Sequence, residues 1–388
     1  MADAQLSTAA VAAHRVAVHG GGGVLEVGIQ DTPPGTSAHQ ALAVRGVVVA
    51  DDGLAHGARG AVVAGDGLAH GARGAVVAGD GLADGARGAM AGDGLALVHG
   101  ARGAMHLHWA ADLPALAAAL RPDEQGDLRK QAFGPFFAGL SGSVGAALDE
   151  VAGAMAAVMG DGVRRSKGEL SSALRGTVDA RLRPFCERCG ADHVADALFR
   201  LASLPAGLRL LPNGDGSADF VSGPLLGGLP DVDAARRELV RRFLRYAGPT
   251  DRDGLAGWLG LSPSAARRWW ALAEVVPVSV AGRRLYLHPD DLAAARTAPG
   301  PRAVWLLPPN DPVLELGDRT LLVPEAADRK RVWRPTANPG VLLVDGIVAG
   351  IWRRRAGTVT VTPFGSLSPA GRRRLAAVTE GEVVVAES

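Results

Sequence analysis

The stretch LSPSAARRWW, residues 261–270, sets two arginines beside two tryptophans directly after a helix-start signal. Ser262 suits an N-cap, and Pro263 suits the first helical position, where its missing N–H costs nothing. A helix begun there puts Ala265, Trp269 and Leu272 on one face, with Ser264, Arg267, Arg268 and Ala271 on or beside the other. One tryptophan packs inward while the arginines face out.

The flanking chain extends the pattern. Upstream, DAARRELVRRFLRYAG (233–248) spaces Leu239, Phe243 and Tyr246 as a helical stripe among Arg237, Arg241, Arg242 and Arg245. TDRDGLAGWLG (250–260) gives a second helix, with Thr250 or Asp251 to cap it, Leu255, Trp258 and Leu259 to pack, and Gly260 to end it in a left-handed residue. Downstream, VVPVSVAGRRLYLHPDDL (275–292) alternates at Val276, Val278 and Val280, turns at Ala281-Gly282 and alternates back from Arg283 to Leu287. Three helices closed by a hairpin spell a winged helix, with the 263–270 helix in the position that enters a DNA major groove. Arg267, Arg268, Arg283 and Arg284 then lie on the two elements that touch duplexes in such folds. The competing reading is a protein-docking module whose arginines only solubilise a helix.

Composition sets the frame for this module. The 388 residues are 47% hydrophobic and 21% charged, as expected for a soluble protein of several domains with ample core. The formal net charge is +1, so any cationic surface must be local. No unbroken apolar run approaches the length of a membrane helix, and the start MADAQLSTAA lacks the layout of a signal peptide. The expectation is a cytoplasmic, nucleoid-associated monomer with no membrane partner.

Two cysteines occur, in PFCERCGADHVADALFR (184–200), as Cys186-x-x-Cys189 with His193 four residues on. A second paired motif and a fourth ligand are missing from the neighbouring sequence, so the expectation is two reduced structural thiols and no metal. A thioredoxin-like redox pair would follow a strand and open a helix, a context these residues do not resemble. His106 and His108 share a strand face at a spacing that two ligands use, but neither a carboxylate nor a cysteine accompanies them.

Organisation along the chain is uneven. DGLAHGARGAVVAG begins at Asp52 and recurs at Asp66, shortened copies begin at Asp80 and Asp93, and the units are rich in glycine and poor in core residues. They read as a duplicated insertion at about 53–92, a loop or weak hairpins rather than a solenoid. The last copy, with Leu97 and Val98, runs on into MHLHWAADLPALAAALRP as a strand and a helix. GSVGAALDEVAGAMAAVM reads as a helix, RRSKGELSSAL as a shorter one with the Ser166/Glu169 capping box, and HVADALFRLASLPAGLRLLPNG as a helix and a strand. RAVWLLPPNDPVLEL, RTLLVP and GVLLVDGIVAGIWRRRAGTVTVTPFG read as short strands, with Asp345-Gly346 as a hairpin turn, and LSPAGRRRLAAVTEGE as a helix. The resulting expectation is an α+β chain of tandem winged-helix (helix-turn-helix) units and a small antiparallel β lobe. Unit 1 spans 1–130 with the insertion, unit 2 spans 131–225, unit 3 spans 226–298, and the lobe spans 299–388.

LLPPNDPVLELGDRTLLVPEAADRKRVWRP (306–335) with GVLLVDGIVAGIWRRR (340–355) resembles the C-terminal half of the winged-helix proteins that include the AlkZ and YcaQ-type DNA glycosylases. HGARGAMHLH (99–108) resembles their first-domain strand, and VGIQDTPPG (27–35) lies where the family carries its catalytic loop. The resemblance implies three winged-helix units and a β-rich lobe around a basic channel for duplex DNA. It also implies cofactor-free hydrolysis of the N-glycosidic bond of bulky alkylated bases, with His106 near the DNA or the active-site cleft as a DNA-contacting candidate. The family holds water with Gln, a hydrophobic residue, then Gln or Asp. Here either Gly28 replaces the first Gln, or Gln30 is that first member and Thr32 the second. Gln30 and Asp31 are the catalytic candidates by this resemblance, Asp31 having a competing role as the cap of the following helix. DRKRVWRP and IWRRR add Arg331 and Arg353 as phosphate-contacting candidates, although alternation along a strand sends Arg354 away from Arg353 and Arg355. A DNA-binding regulator without catalysis is the alternative function.

Overall fold

The computed structural model describes residues 3–49, 62–64, 94–124, 126–127, 139–223, 225, 228–355, 358–378 and 383–386. Apart from Val62–Ala64, the duplicated insertion lies outside them.

The chain opens with Ala4–Leu6 (β1) and Thr8–His19 (α1), the helix capped by the Ser7 hydroxyl, which accepts from the Ala10 N–H at 3.1 Å. Ile29–Gln30 (β2), Ser37–Ala43 (α2) and the antiparallel pair Val47–Val49 (β3) and Val62–Ala64 (β4) follow. Leu95–His99 (β5) and Met105–Trp109 (β6) form a hairpin that leads into Leu113–Leu120 (α3). Every residue of β5 is buried, the mark of a strand covered on both faces, and this explains why the last repeat copy alone carries extra apolar side chains.

Next come Val144–Met159 (α4) and Lys167–Ala173 (α5), whose Ser166/Glu169 capping box forms in both directions. The short ribbon of Phe185–Cys186 (β7) and Ala191–Asp192 (β8) precedes Asp196–Ser203 (α6) and the hairpin of Leu208–Pro212 (β9) and Ala218–Ser222 (β10). That hairpin joins the earlier one in a single sheet of order β10-β9-β5-β6-β2, with Leu97 opposite Leu210. Segments that the sequence reading assigned to different units therefore share one sheet.

Val232–Ala247 (α7), Arg252–Leu259 (α8) and Pro263–Trp270 (α9) begin with side-chain caps from Asp231, Asp251 and Ser262, and α8 ends in left-handed Gly260 at φ 70°. In α9, Ala265 and Trp269 are buried while Ser264, Arg267 and Arg268 are exposed. Val276–Val280 (β11) and Arg283–Leu287 (β12) close on Ala281 and Gly282 at φ 48° and 77°, the positive pair a tight hairpin turn requires. Strand β1 adds to β11 in parallel, so the start of the chain completes this sheet.

After Asp291–Thr297 (α10) and Val304–Leu307 (β13), the chain departs from expectation: PNDPVLEL and RTLLVP hold Pro312–Glu315 (α11) and Arg319–Leu322 (α12), not strands. Asp311 caps α11 by accepting from the Val313 N–H at 3.1 Å, with Pro312 in the first turn. Four apolar residues in a row carry no period that separates a helical turn from a strand. Ala326–Val332 (α13) follows, then Gly340–Val344 (β14), Ile347–Arg355 (β15), Thr358–Pro363 (β16), Pro369–Ala377 (α14) and Val383–Val385 (β17). The sheet order is β13-β14-β15-β16-β17, antiparallel except for the parallel β16–β17 pair.

Candidate active site

Where the β5–β6 hairpin turns, Arg102 adopts left-handed backbone at φ 59°, a conformation a non-glycine residue holds only when its surroundings over-determine it. Three groups hold it. Its guanidinium donates to the Trp258 carbonyl, to Gln30 Oε1 at 3.2 Å and to Glu315 Oε1 at 3.0 Å. Arg102 and Glu315 line a cleft of about 300 Å³ with Asn310, Arg319, Trp333 and Asn338. The Arg319 guanidinium lies 4.9 Å from the Trp333 ring centroid, and Trp333 Nε1–H donates to the Leu314 carbonyl at 3.0 Å, so the ring is fixed as one wall.

The carboxyl of Glu315 is 15% exposed, and burial pushes its pKa up from the ordinary glutamate range against the pull of the Arg102 guanidinium. Its helix is anchored from behind. Asp311, at the N-cap of α11, makes a double-pronged pair with Arg45, both contacts at 2.8 Å and both side chains 0% exposed. Arg45 also donates to the Ala41 carbonyl, so α2, the cap and the cleft carboxyl move as one piece.

Sequence reasoning named none of Arg102, Glu315, Arg45 or Asp311 as functional. The available signal was Asp311-Pro312 ahead of Glu315, a helix start that sets an acidic group one turn later. Gln30, which it did name, sits on β2 one hydrogen bond behind the cleft. Asp31 is 3% exposed, and its two oxygens accept from the backbone N–H groups of Gly35, Thr36 and Ala38 and from the Ser37 hydroxyl, the last three at 3.0, 3.0 and 3.3 Å. The carboxylate is thus occupied at the start of α2, the capping role that competed with catalysis.

Gly28 has φ 83°, and a Cβ there would fall 2.1 Å from the His108 ring. The imidazole fills the space a side chain at position 28 would need. His106, expected near the DNA or the active-site cleft, is 1% exposed, with Nδ1 on the Ala104 carbonyl at 3.0 Å. Burial and the neighbouring His108 lower its pKa to about 3, and burial lowers that of His108 to about 4, so both rings are neutral and unsuited to phosphate.

The expected DNA-contacting arginines differ in how free they are. Arg267 on α9 is exposed, and its guanidinium has no partner among the described residues. Arg268 is exposed but paired with the buried Asp127. Arg283 stands 3.5 Å from Asp251, and Arg284 stands 3.1 Å from Asp3. Arg331 bonds Asp328 at 3.0 Å and lies 4.7 Å from the Phe364 ring centroid, whereas Arg353 is exposed on β15. No described helix is long and apolar enough to cross a membrane. Potential metal ligands gather, among the described residues, at Cys186, Cys189 and His193, far along the chain from the cleft residues.

Comparison with known proteins gives this cleft a context. The family model described as DNA glycosylase AlkZ-like matches residues 82–381. The chain belongs to the AlkZ-like DNA glycosylase family. Arg102, Asp311 and Glu315 fall inside the matched stretch of this AlkZ-like chain, whereas β2 with Gln30 precedes it. Among solved structures, the Streptomyces sahachiroi DNA glycosylase AlkZ is similar with a TM-score of 0.57 and 21% identity, over 75% of this chain and 82% of that one. The likeness extends to the fold. A search of curated protein sequences gave no match.

Proposed function

We propose that the chain excises alkylated bases from duplex DNA by hydrolysing the N-glycosidic bond, with the cleft between Arg102 and Trp333 receiving the damaged nucleotide. DNA glycosylase action on alkylated DNA follows from the family; the duplex form, the winged-helix mode of docking and the residue roles go beyond it. The single observation that carries it is the chain Gln30–Arg102–Glu315, which ends in a largely buried carboxylate on a cleft with an aromatic wall.

An alkylated purine is already a good leaving group, because alkylation at a ring nitrogen makes it cationic. The enzyme then needs no strong acid. It needs a negative group near the sugar, where positive charge grows as the bond breaks, and an acceptor for the proton of the attacking water. Glu315 serves both needs. Arg102 pulls it toward the ionised form against burial and aims it, and Gln30 holds Arg102 from the opposite side. Asp31 holds the loop by capping α2, and Trp333 stacks against the extruded base. Arg267, Arg283, Arg284, Arg331 and Arg353 supply phosphate contacts on the flanking surface.

The test is base release from a duplex carrying N7-alkylated guanine. Glu315→Gln keeps the shape and is expected to slow release by about 10²–10⁴-fold, with Gln30→Ala slower than wild type and Asp31→Ala reduced through loop stability. Full activity of Glu315→Gln would remove the carboxylate from the mechanism. DNA binding without base excision is the second reading, favoured by the His108 ring standing in the space beside Gly28; retention of duplex with no release of any alkylated base is its outcome.

A further inference from the structure

The ribbon β7–β8 lies apart from the cleft and plays no part in the reading above. Its ladder has two residue pairs, Phe185 with Asp192 and Cys186 with Ala191, far less than an isolated two-stranded ribbon needs to hold its shape. Phe185 is 65% exposed, so a hydrophobic core does not supply the missing stability. The turn between the strands is nonetheless well defined. The N–H groups of Cys189 and Gly190 both donate to the Cys186 carbonyl, at 3.1 and 2.8 Å, and Gly190 takes φ 62°. This winding brings both sulfurs to one side of the turn.

We propose that Cys186, Cys189 and His193 bind a zinc ion that clasps this ribbon to the start of α6. The ligand atoms of all three lie within 4.8 Å of one another, and both cysteines are free. A tetrahedral zinc with Zn–S bonds of about 2.3 Å sets its sulfurs about 3.8 Å apart, so rotation of exposed side chains closes the gap without moving the backbone. The histidine is oriented for the task. Its Nδ1–H donates to the Val194 carbonyl at 2.8 Å, which leaves Nε2 to ligate, the arrangement seen behind metal-bound imidazoles generally.

Two thiolates and a neutral imidazole balance the dication, and this soft ligand set suits zinc over the hard divalent ions. Binding releases the two thiol protons to solvent, with no change in oxidation state. Three protein ligands leave the fourth corner to water. The sequence alone argued against a metal because a second ligand pair was missing. The fold supplies the third ligand by bringing His193 back across the ribbon.

The test uses the full-length chain, reduced and stripped of metal, titrated with cobalt(II) and then zinc(II). One equivalent of cobalt is expected to give a thiolate charge-transfer band and the intense visible bands of a tetrahedral site, and zinc is expected to displace it. Zinc is also expected to protect both cysteines of the wild-type chain from alkylation, a measurement that needs no variant. Cys186→Ser is expected to abolish the charge-transfer band while the circular dichroism of the whole chain is retained. Absence of the bands at one equivalent, equal alkylation with and without zinc, or bands that persist in a Cys186→Ser, Cys189→Ser double variant would each overturn the site.

Discussion

The turn of the β5–β6 hairpin and the outer face of α9 use the same cation in opposite ways. Arg102 is drawn inward and held by three acceptors, among them Gln30 72 positions away and Glu315 213 away. Arg267 points outward from a local helical repeat and meets no partner among the described residues. A desolvated polar cluster is costly unless every member is bonded, so its geometry is fixed and a small change is felt at once. An exposed cation costs little to hold and stays available to a ligand. The first arrangement suits chemistry and the second suits electrostatic capture, and each can be broken separately.

The largest effect is expected on the inner region, from protons. His19, His99, His106 and His108 are all buried, and burial lowers the pKa of each, to about 3 for His99 and His106 and about 4 for His108. The unfolded chain therefore takes up protons first as the pH falls. Stability from keeping these rings neutral is intact above about pH 6.5 and lost progressively below it, by about 1.4 kcal/mol per pH unit for each histidine. Four together consume the 5–15 kcal/mol typical of a domain within roughly two or three units. Urea midpoints measured from pH 7.5 to 5 are expected to fall steeply, and His99→Gln to flatten the slope. A level profile over that range would mean the rings are charged in the native state and the inner region is wetter than its burial suggests.

Next in size is the anchor behind the cleft. Asp311→Asn removes one charge from a pair whose two side chains are 0% exposed, leaving Arg45 buried without its counter-charge. A loss of about 3–5 kcal/mol in unfolding free energy is expected. Replacing both partners by apolar residues of similar volume is expected to cost less than the single change, because no charge is then stranded. If Asp311→Asn unfolds at the wild-type denaturant midpoint, the rigidity assigned to α11 and to Glu315 is lost with it.

How much of this was legible follows from where the interactions run. Caps at Ser166, Asp251 and Ser262, the left-handed end at Gly260 and the turns at Ala281-Gly282 and Asp345-Gly346 are decided within a few residues, and all are in place. The joining of β5 to β9, the parallel addition of β1 to β11 and the Arg102–Glu315 contact depend on chain closure over long distances, which composition and periodicity do not encode. The strand reading of RTLLVP failed because an apolar run of that length has no resolvable period. The burial of His106 was hidden for a related reason: strand alternation gives a face but not which face is covered. Gln30 was singled out through family resemblance, and its hydrogen bond to Arg102 is visible only in the fold.

The smallest expected effect is also the sharpest separation of the two regions, since it compares adjacent residues. Arg267 and Arg268 look equivalent in sequence, yet Arg268 is tied to Asp127, a carboxylate 3% exposed, while Arg267 is unpaired among the described residues. Removing Arg267 as alanine deletes at most one phosphate contact, so the slope of log affinity for duplex against log salt is expected to drop by about 0.9, with little change in thermal stability. Removing Arg268 instead takes the counter-charge from buried Asp127, whose Oδ2 keeps, among the described residues, only the Asp123 and Glu124 N–H groups, so it is expected to lower stability more and the salt slope less. Fluorescence anisotropy across a salt series, paired with thermal melts of both variants, reads the two quantities side by side. Equal slopes for Arg267→Ala and wild type would take α9 off the DNA, and the outer face would then be a solvated surface like any other.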